Sequence, residues 1–107
     1  MMTETSKKAD FNEGEEVFFV LKNASMCKVN AKEPTSFFLK GRVHNGNFLP
    51  QSEILGSEPL AHDGTKGWLE LESGKFYTTQ TPRSPKSPYV NGFMTDEGFV
   101  PDSKQIH

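Results

Sequence analysis

The sequence predicts an all-β domain, a small barrel or roll of about five to six mostly antiparallel strands with at most one short helix. Three observations predict it. The chain carries nine Phe, two Tyr and one Trp, and aromatic side chains favour pleated, half-buried surfaces. Short apolar stretches alternate with polar residues at a period of two and are bounded by Gly, Asn, Ser or Pro. No window keeps the i, i+3, i+4, i+7 apolar spacing of an amphipathic helix.

At 107 residues the chain has room for one core. Apolar residues are 34% and Gly adds nine residues, a sum below the roughly 45–50% usual for globular domains. Some segments should therefore lie outside the core. The expected division is a polar N-terminal tail over 1–12, a single β domain over 13–100 and a C-terminal tail over 101–107.

Within that domain, residues 15–21 (E-E-V-F-F-V-L) form an apolar run of strand length between Gly14 and Asn23. Residues 26–31 alternate weakly, and Pro34 ends them. Residues 37–43 read as a strand that turns at Asn45-Gly46, a pair suited to a type I′ turn because both central positions need positive φ. Residues 47–49 return and Pro50 stops them, since Pro has no ladder donor. Residues 51–56 suggest one helical turn capped by Ser52, and 56–67 a loop. Residues 68–72 and 75–79 form a hairpin about Ser73-Gly74. Asn91-Gly92 gives a third hairpin signal. The core should contain Phe18, Val20, Phe38, Val43, Trp68, Leu69 and Phe76.

An internal echo links Phe48-Leu49-Pro50-Gln51-Ser52-Glu53 to Phe99-Val100-Pro101-Asp102-Ser103-Lys104, with Ile54 and Ile106 following. It fits either a duplication or two similar strand exits; the rest of the two halves does not visibly align, which favours the second.

Charge limits the partners. The net charge is −2; split at Gly56, neither half is basic, so the footprint expected for duplex DNA is missing. No apolar run is long enough to span a membrane, and residues 1–10 lack the apolar region of a signal peptide. One cysteine, Cys27, has no partner in the chain, which fits a reducing compartment. A cytoplasmic or virion-associated location is expected.

The most specific segment is the proline-rich loop 80–88. Pro82, Pro85 and Pro88 recur every third residue, the period of polyproline II, so they should share one edge, with Arg83 and Lys86 on another. Together with Tyr89 these residues are the candidate protein-binding set. The same pattern describes a rigid solvated connection between hairpins, and Thr81, Ser84 and Ser87 each precede Pro. A second set, Lys40, Arg42 and His44 on one strand face with Lys75 and Tyr77, could bind RNA or single-stranded DNA by phosphate neutralisation and base stacking. Residues 12–20 (N-E-G-E-E-V-F-F-V) resemble the opening strand of SH3-like barrels, and the resemblance implies a binding role.

Chemistry is poorly served. Cys27, His44, His62 and His107 show no metal-ligand spacing, and no nucleophile elbow or phosphate loop is present. Glu70 and Glu72 read as ordinary solvent-facing strand residues. No metal, cofactor or catalytic residue is expected. The sequence points to a non-enzymatic interaction module or accessory subunit docking on a larger partner or assembly, in one version viral or from a mobile element. The alternatives are the nucleic-acid-binding small barrel and an enzyme without a recognisable motif.

Overall fold

The computed structural model describes residues 11–29, 32–60 and 62–107. The expected tail over 1–12 falls mostly outside these residues, as do positions 30 and 31 of the second strand candidate.

Among these residues eight strands form: β1 (Glu16–Val20), β2 (Ser25–Lys28), β3 (Phe38–His44), β4 (Asn47–Pro50), β5 (Thr65–Glu70), β6 (Lys75–Thr78), β7 (Tyr89–Thr95) and β8 (Gly98–Pro101). They make two four-stranded antiparallel sheets, ordered β2-β1-β3-β4 and β6-β5-β7-β8. The all-β class is as the sequence predicts. The strand number is higher, and the described strands close no barrel, either the roll-like one expected or the one implied by the SH3-like resemblance. No helix is present among the described residues, so none there is long and apolar enough to cross a membrane.

The two sheets repeat one plan. Phe18 pairs with Cys27 as Trp68 pairs with Tyr77, 50 residues on. Val43 pairs with Phe48 as Met94 pairs with Phe99, 51 residues on. The flanking bonds repeat too: Leu21 N–H donates to Phe37 O and Leu71 N–H to Pro88 O, while Gln51 N–H donates to Lys40 O and Asp102 N–H to Asn91 O. The extra residue lies in the connection before β7, which includes the proline-rich loop. The Phe48/Phe99 echo therefore marks equivalent strands, and the halves align in register where their side chains do not. The two β1–β2-type hairpin tips also meet, for a Cβ built on Gly74 would stand 3.5 Å from the Ala24 Cβ.

Buried side chains from both sheets form one cluster, including Val17, Phe19, Leu39 and Phe48 from the first and Leu69, Val90 and Phe99 from the second. Along β3 the expected alternation holds, with Leu39 and Val43 buried and Lys40, Arg42 and His44 exposed. Phe18 and Phe38 are buried on the opposite face, edge to face at 5.4 Å. Phe18, Phe38, Val43, Trp68 and Leu69 are buried as expected, whereas Val20 and Phe76 are only half-buried. On β1 the shared core takes Val17 and Phe19, the phase opposite to Phe18 and Val20. A strand covered on both faces hides its phase, because its pattern is continuous rather than alternating.

Local readings divide in the same way. Asn45 and Gly46 take φ of 53° and 80°, as the expected turn requires. Asn91-Gly92 is no turn; it lies inside β7, which turns later at Asp96-Glu97. Gly92 is there for space: a Cβ would strike the Val100 carbonyl and stand 2.7 Å from Phe99 Cζ, a close approach of the kind that selects Gly in strands. Gly41, its equivalent, lies under Phe48 in the same way. The expected helical turn at 51–56 is instead extended, because Leu55 exchanges backbone hydrogen bonds with Phe38. Ser52 caps no helix, and its Oγ accepts from Lys40 N–H. Residues 101–107 pack back on the domain: Pro101 is buried in β8, Tyr89 and His107 exchange backbone hydrogen bonds, and their rings stack at 5.3 Å.

Candidate functional site

The proline-rich loop is fastened to the outer face of the second sheet by one carboxylate. Period-two alternation on β5 puts Trp68 and Glu70 on the same side, and the loop closes over them. Glu70 is only 3% exposed. Its Oε1 accepts from Arg83 Nη2 at 2.7 Å and its Oε2 from Arg83 Nε at 3.1 Å. Oε2 also accepts from Trp68 Nε1 at 3.0 Å and from Lys86 N–H at 3.1 Å. The forked Arg–carboxylate geometry is the strong form of this pair. Hydrogen bonding to Arg83 is the largest cause that holds the Glu70 carboxyl down at about 2, against the opposing effect of burial.

The guanidinium of Arg83 lies 4.4 Å from the Tyr77 ring centroid, and Tyr77 stacks on Trp68 at 5.7 Å. Lys86 Nζ reaches Glu72 at 3.3 Å. Arg83 and Lys86 are thus occupied on their inner side, while 82–87 remain exposed as a ridge. The ridge is not a continuous polyproline II helix with prolines on one edge. Thr81 N–H donates to Thr78 O and Arg83 N–H to Thr81 O, whereas polyproline II has no internal hydrogen bonds. Pro88 is half-buried at its base, and Tyr89 belongs to β7.

The second candidate set is split between sheets. Lys40, Arg42 and His44 lie on the first, Lys75 and Tyr77 on the second. Arg42 donates to Glu16 at 3.1 Å and to Gly14 O at 2.8 Å. His44 Nδ1 lies 2.9 Å from Glu13, whose carboxyl is held below its ordinary value, first by the Asn45 N–H and then by His44. Of the three β3 groups only Lys40 has no carboxylate partner among the described residues. Cys27 is half-buried on β2, and burial pushes its thiol pKa up, the direction away from a reactive thiolate. Among the described residues no group of three His, Cys, Asp or Glu side chains is placed to hold a metal ion.

Sequence reading missed Glu70, which it placed in solvent. The available signal was Trp68 two positions earlier, whose indole N–H needs an acceptor when buried. It also missed a cleft of about 530 Å³ where the β1–β2 tip of the first repeat meets the β7–β8 turn of the second.

Comparison with family models, with curated proteins and with solved structures found no match for this chain.

Proposed function

We propose that this chain is a non-enzymatic protein-interaction module, an accessory subunit that docks on a larger partner or assembly through the ridge 82–87. The supporting observation is the fastening of that ridge. A loop that is exposed along its outer side and tied beneath by Glu70 is preorganised, so a partner need not meet the entropy of ordering it. Exposed loops on a rigid scaffold are where binding residues concentrate.

The nucleic-acid reading has less support. Arg42 and His44 face carboxylates of their own chain, and the net charge is negative. Phosphate binding would have to break those pairs.

The test is capture from lysate with the immobilised full chain, comparing wild type with the Ser84→Asp, Pro85→Asp double variant. Neither side chain serves the Glu70 contacts. Loss of a stoichiometric partner by about tenfold or more, with the melting temperature unchanged, is the expected result. Unchanged capture removes the ridge from the interface. Polynucleotide binding at ~50 mM salt that collapses by ~200 mM would favour the RNA or single-stranded DNA reading instead.

A further inference from the structure

We infer that the cleft between the two repeats is the docking site for a basic, Arg- or Lys-bearing segment of the partner protein. This rests on the reading of the chain as an interaction module. The cleft measures about 530 Å³; Phe37 and Val100 line its apolar part, and Glu58, Asp63, Asp96 and Glu97 line it as well. Among the described residues none of these four carboxylates finds an ion-pair or side-chain hydrogen-bond partner. Glu13, Glu15, Glu16, Glu70 and Glu72 all do; Glu33, Glu53 and Asp102 are also without such a partner among the described residues but lie outside the cleft, so it is the convergence of four such acids on one cleft that stands out. Among the described residues the one basic side chain lining the cleft is Lys22, whose carbonyl accepts from Phe99 N–H and fixes the wall.

Asp96-Glu97 stands where the first repeat has Asn45-Gly46. Asn45 and Gly46 both take positive φ, whereas of residues 96–98 only Gly98 does, so the second turn has a different geometry that accepts Asp and Glu and leaves both lining the cleft. The chemistry selects the occupant. Arg and Lys carry an apolar stem and a cationic head, which match the apolar lining and the carboxylates together. A neutral apolar segment would bury these carboxylates unpaired, which is costly. Polyanions would be repelled.

The probe is a short synthetic peptide of Arg, Leu and Gly, titrated into the isotope-labelled full chain and followed by amide chemical shifts. Shifts at Phe37 and over 95–100 are expected, weakened severalfold between ~50 and ~200 mM salt as screening grows. The Asp96→Lys, Glu97→Lys double variant should lose affinity by at least tenfold. Glu58→Gln, a gentler change in an exposed segment, should lose severalfold. The inference is overturned by absence of shifts at about 1 mM peptide, by equal binding of a Glu, Leu and Gly peptide, or by undiminished binding in both variants. It is also overturned if calcium alone produces the same shifts while the peptide produces none. Lysate capture run alongside separates the two ideas. Ridge-dependent capture that survives the Lys double variant removes the cleft and leaves the module reading standing. Wild-type capture that the ridge variant leaves unchanged removes the module reading through the ridge.

Discussion

Residues 14–55 and 64–107 pair their strands in one register, yet they cover their outer faces with different chemistry. In the first repeat Phe18 and Phe38 meet edge to face beside the half-buried Val20. In the second, Trp68 and Glu70 occupy the positions of Phe18 and Val20. There the loop brings Arg83 and the Lys86 N–H onto the carboxylate. The backbone plan depends on turns and on the inner face, where the two sheets meet. The outer face is free to differ, and the second repeat uses that freedom to fasten an exposed loop. The difference separates a shared scaffold from a specialised surface.

The largest expected effect attacks what the repeats share. Gly41→Ala and Gly92→Ala each drive a methyl group into a neighbouring carbonyl and Phe ring. Each should destabilise by about 3 kcal/mol or more, as read by urea unfolding. If one tolerates the methyl group and the other does not, the repeats are less equivalent than their register implies.

Next comes what they do not share. Glu70→Val installs the first repeat's residue and leaves the Trp68 indole N–H, Arg83 and the Lys86 N–H without their acceptor. A loss of about 2–4 kcal/mol is expected, with faster amide exchange confined to 81–88. Uniformly faster exchange would mean that Glu70 supports the whole sheet rather than the loop.

Acid titration makes the same comparison without replacing the fold's apolar residues. The Glu70 carboxyl sits at about 2 in the folded chain, below its ordinary 4.5. Its contribution is complete above about 4.5 and is lost as pH falls from there towards 2. The contribution is about 1–3 kcal/mol, reduced from the full shift because Arg83 is partly exposed to solvent. Glu70→Gln should flatten the stability curve across that window. If wild type and variant stay parallel in stability from pH 4.5 to 2, the pair contributes nothing.

The smallest expected effect lies at the hairpin tips. Ala24 takes φ of 55°, where the second repeat has Gly74. Ala24→Gly should gain about 0.5–1 kcal/mol by relieving the left-handed conformation, a gain measurable as a raised melting temperature. A loss instead would mean that the Ala24 methyl group's packing against the core outweighs its backbone strain.

How far the sequence was legible depends on the range of the interaction involved. The Asn45-Gly46 turn and the β3 alternation are local, and both were readable. The Asn91-Gly92 pair looks the same locally, but its role is set by Phe99 on the neighbouring strand. Glu70 and Glu72 look alike along the chain, yet only Glu70 receives the loop. The cleft was unreadable because its walls come from residues 22, 36, 37, 58, 59, 63, 95–97, 99 and 100.

The proline-rich loop held the sequence's strongest functional signal, and the structure keeps it as a fastened ridge rather than a regular helix of prolines. By itself the sequence determined the all-β class, the Asn45-Gly46 turn and which face of β3 is polar, because turn chemistry and period-two patterning act within a few residues. Tertiary structure alone decided the shared register of the two sheets, the burial of Glu70 and the cleft between repeats, because each requires partners brought together from distant parts of the chain.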